Sequence, residues 1–182
     1  ATGSSKQRTG TVTVGGRTLT IIQEGGTLKL TLNPASLTVG AAGGPVEIAV
    51  TANYADGVWS ATTETPWLTL TPGRPIIGNG TIQVQVAEIK SVQPRSGKLS
   101  IGGQLVTVTQ SGGKGELVLS DELIAVDAAA TTRSIGVAAN YADYAWTASS
   151  SDPWLVVSPA GGTGSGTLSL QIARLDSGSS RT

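Results

Sequence analysis

Pro45-Val46-Glu47-Ile48-Ala49-Val50-Thr51-Ala52-Asn53-Tyr54-Ala55-Asp56 carries an apolar or aromatic side chain at every second position: Val46, Ile48, Val50, Ala52 and Tyr54. A period of two puts those side chains on one face of an extended strand. The second half of the stretch returns as Ala139-Asn140-Tyr141-Ala142-Asp143, an offset of 87 residues from Tyr54 to Tyr141. Ile135, Val137, Ala139 and Tyr141 repeat the same face. A strand motif that recurs at fixed spacing marks a repeat protein.

The repeat extends in both directions. Trp59 maps to Trp146, and Pro66-Trp67-Leu68 to Pro153-Trp154-Leu155. Gly80-Thr81 matches Gly166-Thr167, here 86 apart. The end of the unit repeats as well. Arg8-Thr9-Gly10 with Gly15-Gly16 matches Arg95-Ser96-Gly97 with Gly102-Gly103, and Gln23 matches Gln110. The sequence is therefore cut inside a unit. Residues 1–26 are the C-terminal hairpin of one unit, 27–113 form a complete unit, and 114–182 begin another that stops at Arg181-Thr182, the equivalents of Arg95-Ser96.

Alternation dominates each unit. Thr11-Val12-Thr13-Val14 and Leu99-Ser100-Ile101 run into a Gly-Gly pair, and Leu19-Thr20-Ile21 and Val106-Thr107-Val108 leave it. Glycine reaches the positive φ of a two-residue hairpin turn, so Gly15-Gly16 and Gly102-Gly103 are predicted hairpin turns. Thr81 to Val86 and Thr167 to Ile172 alternate too, and Leu28, Leu30 and Leu32 open the unit before Pro34 interrupts it. Proline there fits an edge strand or a switch between sheets. No stretch keeps a helical period. Glu122 to Ala130 is helix-permissive, but its counterpart around Ser36 to Gly43 is not, so it reads as strand and loop. About seven short strands per unit predict an all-β fold of tandem immunoglobulin-like sandwiches.

Composition excludes several function classes. Twelve Lys+Arg balance twelve Asp+Glu, and 13% of residues are charged. No basic cluster is present to bind nucleic acid. No apolar run is long enough for a membrane span, and no secretory leader is legible. The chain begins at Ala1 rather than Met, which fits removal of a leader or of a longer precursor. Cysteine and histidine are both absent, which removes thiolate chemistry, disulfides and the commonest general base and metal ligand. A carboxylate pair of the glycosidase kind needs neither residue, but no repeated pair of acids supports one.

The residues resemble a known family. Trp59, then Pro66-Trp67-Leu68-Thr69-Leu70, Gly78-Asn79-Gly80, Arg95-Ser96-Gly97 and Thr107-Val108-Thr109-Gln110 form a pattern similar to that of BACON-type domains. The resemblance covers nearly the whole chain. It implies an immunoglobulin-like sandwich of a bacterial surface or secreted protein, or of a phage virion. Such domains often stand beside glycoside hydrolases, and the family name implies carbohydrate binding.

The four tryptophans are candidates for stacking on sugars, but a unit without Phe, Met or Cys needs them as core. Trp67 and Trp154, and then Trp59 and Trp146, are therefore expected to be buried. Tyr54 and Tyr141 are expected in the core or at its rim. Tyr144 replaces Val58 near its turn and is the aromatic expected to be exposed, a possible glycan contact. Asp56 and Asp143 read as turn caps bonding their own backbone. Calcium would need several further oxygen ligands, which Gly161-Gly162-Thr163-Gly164 does not offer. Glu88, Asp121, Glu122 and Asp127 are scattered. Arg8, Arg95 and Arg181 recur at the start of one strand and read as structural, pairing with a carboxylate or carbonyl. No catalytic residue, metal site or cofactor is expected.

Two function classes remain open, a structural or assembly protein and a carbohydrate-binding accessory module. Under the first, the hairpin from Gly10 to Gln23, with Val12, Val14, Gly15, Gly16, Leu19 and Ile21, supplies the strands that the unit at 114–182 lacks. Copies of the chain are then the expected partners, joined head to tail; closure within one chain, or a longer covalent array whose missing strands follow Thr182, are the alternatives.

Overall fold

Alternating sequence becomes strand throughout. The computed structural model describes residues 3–175, and among them are strands and no helix. No helix of the described residues is long and apolar enough to cross a membrane. The chain divides into two units, residues 1–89 with 95–111, and residues 90–94 with 112–182.

The first unit opens with a free-standing hairpin, β1 (Arg8–Val14) and β2 (Arg17–Gln23). It continues through β3 (Leu30–Asn33), β4 (Ser36–Val39), β5 (Gly44–Ala52), β6 (Val58–Trp59), β7 (Ala61–Thr63), β8 (Leu68–Thr71), β9 (Ile76–Ile77), β10 (Gly80–Val86), β11 (Arg95–Ile101) and β12 (Gln104–Gln110). One sheet has the order β3-β5-β10-β8 and the facing sheet β4-β12-β11-β7. The pairings are antiparallel, except that β4 runs parallel to β12. Pro34 lies where the chain leaves β3 in one sheet for β4 in the other, as its missing N–H requires.

The core is the space between the two sheets. Ile48, Val50, Ile82, Val84 and Val86 come from one side, and Leu37, Val39, Leu99, Ile101, Val106 and Val108 from the other. These are the alternate positions of each strand, and their neighbours in sequence face outward. Both Gly-Gly pairs form two-residue turns with positive φ: +56° and +80° at Gly15-Gly16, +54° and +84° at Gly102-Gly103.

The tryptophans depart from expectation. Trp59 is the buried one, 3% exposed, and its Nε1–H donates to the Gly78 carbonyl at 2.7 Å. Trp67, expected in the core, is half-buried. It lies just before edge strand β8, where the Arg95 guanidinium covers its ring at 4.3 Å. Trp146 and Trp154 are half-buried as well.

The second unit contains β13 (Leu117–Leu119), β14 (Thr131–Ala139), β15 (Ala145–Thr147), β16 (Leu155–Ser158), β17 (Gly161–Thr163) and β18 (Gly166–Ile172). They form one four-stranded sheet, β13-β14-β18-β16, and a short β15-β17 ladder. That sheet repeats β3-β5-β10-β8. Among the described residues, no facing four-stranded sheet covers it. The stretch Glu122 to Ala130, expected as strand and loop, is loop throughout.

Trp59→Ala is expected to cost about 3–5 kcal/mol, because it empties a filled core. Trp67→Ala should cost less, since Trp67 is only half-buried. Gly102→Val should cost at least about 1–3 kcal/mol from backbone strain at positive φ. It should cost more than Gly15→Val, because a Cβ at Gly102 meets Leu30 Cδ1 at 2.2 Å while Gly15 faces open space. Denaturant melts of the four variants check this ranking.

Candidate assembly site

The β1–β2 hairpin repeats β11–β12 position for position, 87 residues apart. In the completed sandwich Leu99, Ile101, Val106 and Val108 point inward and are at most 1% exposed. Their counterparts Val12, Val14, Leu19 and Ile21 are 46%, 72%, 62% and 52% exposed. The hairpin thus presents a core face without a core. The expected assembly residues lie together on that face, joined by the Gly15-Gly16 turn.

The described residues of the second unit are less sealed on the matching face. Leu170 and Ile172 on β18 are half-buried, whereas their counterparts Val84 and Val86 are at most 1% exposed. Ile135 is likewise half-buried where Ile48 is sealed. The loop Leu123 to Val126 corresponds to β4, which in the first unit pairs with β12. It forms no strand here, and Leu123 is 88% exposed.

A repeated clasp holds the base of each hairpin. Ser4 Oγ and the Ser5 amide donate to the two carboxylate oxygens of Asp56, and the Gly26 amide donates to the Ser4 carbonyl at 2.9 Å. In the second unit Ser91 Oγ and the Val92 amide donate to Asp143, and the Gly113 amide to the Ser91 carbonyl at 2.8 Å. Gly26 and Gly113 lie under the hydroxyls of Tyr54 and Tyr141, where a Cβ would fall 2.0 Å and 2.2 Å from the oxygens. The two aspartates keep the bond to their own backbone that their place in a turn predicted, and they also hold a segment more than 50 residues away. The Ser4 hydroxyl first, and then the Ser5 amide, hold the Asp56 carboxyl below its ordinary range. The Ser91 hydroxyl does the same for Asp143.

Arg95 confirms a structural role. Its Nε donates to Gln110 Oε1 at 2.8 Å and its Nη2 to the Ala87 carbonyl at 2.7 Å. Arg8 donates to Gln23 Oε1 at 2.7 Å. Arg181 lies outside the described residues. Sequence reasoning noted Gln110 only as a repeated letter, yet it is a fully buried polar side chain. It also missed Ser4 and Ser91, which the same 87-residue spacing pairs.

Tyr144, expected to be exposed, is half-buried: its ring packs flat on Gly115, whose missing Cβ would fall 2.3 Å from it. Among the described residues there is no cluster of three or more acidic, histidine or cysteine side chains that could hold a metal ion.

The viral BACON domain family matches residues 29–114 and again 114–182. The chain belongs to the viral BACON domain family. It carries tandem BACON repeats, and the β1–β2 hairpin precedes the first matched repeat. Comparison with curated proteins finds no match. Solved structures similar to the chain include a Bacteroides ovatus GH5 xyloglucanase in complex with a XXXG heptasaccharide (15% identity, 48% of this chain and 19% of that one, TM-score 0.41). Domains 4-9 of surface layer protein SbsC (13% identity, 92% and 31%, TM-score 0.34) and the I9-I11 tandem from titin (12% identity, 96% and 67%, TM-score 0.31) are others.

The clasps of the BACON repeats are expected to make stability pH-dependent. A carboxyl whose folded-state pKa is depressed stabilises the fold above its unfolded value and loses that contribution as pH falls through the folded one. Stability is therefore expected to decline as pH drops below about 4. Asp56→Asn together with Asp143→Asn should flatten that part of the profile while lowering stability at neutral pH. Thermal melts across the acid range, for the chain and the double variant, check it.

Proposed function

We propose that this chain is a non-catalytic, extracellular or virion-borne assembly module whose β1–β2 hairpin completes the open sandwich of another copy. Residues 1–26 act as donor, 27–113 as a self-sufficient repeat and 114–182 as acceptor. The observation that carries this reading is the contrast between the exposed Val12, Val14, Leu19 and Ile21 and their sealed counterparts in β11 and β12.

The energetics favour docking. The four side chains would bury between 46% and 72% of their surface, about 1 kcal/mol apiece. The loop at 123–126 would gain a parallel ladder like that of β4 on β12. The half-exposed residues of β18 and β14 would be sealed at the same time. Donor and acceptor are different surfaces of one chain, so the contact is heterologous and propagates head to tail. The carbohydrate-binding alternative has less support: every Trp and Tyr is buried or half-buried, which leaves no row of exposed rings to stack on a sugar.

Sedimentation of the intact chain is expected to show concentration-dependent oligomers. Val12→Asp with Leu19→Asp should abolish them without unfolding either unit, because both positions are exposed. A synthetic peptide spanning Arg8 to Gly25 should bind this double variant and raise its melting temperature. An intact chain that stays monomeric, a double variant that assembles as well as the parent, or a peptide that does not bind overturns the reading.

A further inference from the structure

We infer that Gln23, oriented by Arg8, fixes the register in which the hairpin enters its acceptor; the inference rests on the assembly reading above. Apolar alternation cannot do this alone. A slip of two residues keeps every side chain on its face, and Val12, Val14, Leu19 and Ile21 are similar enough to fill one another's places. A polar group that is satisfied in one register only would exclude the slipped ones.

The completed BACON repeat contains such a group. Gln110 is 0% exposed at the last inward position of β12. Its Nε2 faces the carbonyls of Gly40, Ala41 and Ala87 at 3.2, 3.1 and 3.0 Å. Its Oε1 accepts from Arg95 Nε at 2.8 Å. A guanidinium can only donate, so Arg95 holds the amide oxygen toward itself and turns the NH2 toward the carbonyls. Shifted by two residues, that NH2 would sit among apolar side chains without acceptors, which is costly.

The free hairpin carries the same device already set. Arg8 Nε donates to Gln23 Oε1 at 2.7 Å, in solvent. By the repeat, the counterparts of Gly40 and Ala41 are Asp127 and Ala128. The receiving corner of the second unit repeats two backbone bonds of the completed one. The Leu175 amide donates to the Ala128 carbonyl at 2.9 Å, as the Ile89 amide does to Ala41 at 3.0 Å. The Ala173 amide donates to the Trp154 carbonyl at 2.9 Å, as Ala87 does to Trp67 at 3.0 Å. The donor pair and the Ala128 side of the receiving corner are thus formed before they meet. In register, Gln23 Nε2 reaches the carbonyls of Asp127 and Ala128. Thr20 then faces Leu123, as Thr107 faces Ser36.

The chain has no cysteine, so engineered pairs can report the register. Copies carrying Thr18→Cys, Thr20→Cys or Ile22→Cys are each mixed with copies carrying Leu123→Cys and mildly oxidised. Thr20→Cys is expected to give the intermolecular disulfide, favoured over the other two by roughly tenfold or more. Adding Gln23→Leu should leave intermolecular cross-linking in place but bring the three yields within about threefold of one another, since the unsatisfied amide is gone. Gln23→Glu should suppress docking, because a carboxylate would face carbonyls. If the preference for Thr20 survives Gln23→Leu unchanged, the register role is wrong and the assembly reading stands. If no pair cross-links in the parent chain, both fail.

Discussion

One apolar sheet face has to be covered, and most of what is seen in this chain follows from whether it is. In the first unit the hairpin β11–β12 lies over β5 and β10, and Ile48, Ile82, Val84 and Val86 are sealed. With that hairpin in place, β4 has a partner and becomes a strand, and Trp59 is buried with its indole N–H satisfied. In the second unit the same first sheet forms, with β14 and β18 in the register of β5 and β10. There, among the described residues, the β4 counterpart is loop and Trp146 is half-buried, although it keeps its bond to the Gly164 carbonyl at 2.7 Å. Local sequence thus sets the strands and their pairing within a sheet, while the facing sheet decides which side chains become core.

The same distinction explains what could be read from the sequence. The repeat, the Gly-Gly turns, the alternating faces of β5 and β10 and the absence of helix all rest on local pattern, and the structure agrees with each. Burial of particular aromatics was less legible. Trp59 and Trp67 look alike as letters, but Trp59 stands between the sheets and Trp67 at an edge that Arg95 covers. Tyr144 stands where Val58 is exposed, and no local pattern signals that Gly115 leaves room for its ring. The aspartates were legible as turn residues but not as clasps, since their partners are more than 50 positions away. The spacing of Ser4 and Ser91 held that information unused.

The clasp bears on how a hairpin can exist without a sandwich. An isolated two-stranded ribbon is marginal in water. Here three features offset that. The Gly15-Gly16 turn matches the twist of the strands, the Arg8–Gln23 pair joins the far ends of β1 and β2, and Ser4, Ser5 and Gly26 pin the base to the Tyr54–Asp56 turn. Threonines at positions 9, 11, 13, 18 and 20, together with Ile22, occupy the face opposite Val12, Val14, Leu19 and Ile21, so the ribbon has one mostly polar side and one apolar side.

Preformation matters for association as well as for folding. Ordering a flexible segment at an interface consumes part of the free energy that burial supplies. On the proposed assembly reading, a hairpin already in its final turn, with its glutamine already oriented, would leave mainly the loop at 123–126 to be ordered on docking. That loop would also be the piece whose pairing depends on the donor strand, as β4 pairs with β12. A surface that is apolar but slack would attract any exposed strand edge. On the same reading, a rigid ribbon with a single polar key would be far more selective, because a wrong partner would either leave the glutamine unsatisfied or fail to reach the acceptor corner. Selectivity of that kind does not require charge, which fits a chain with equal numbers of acidic and basic residues and few of either.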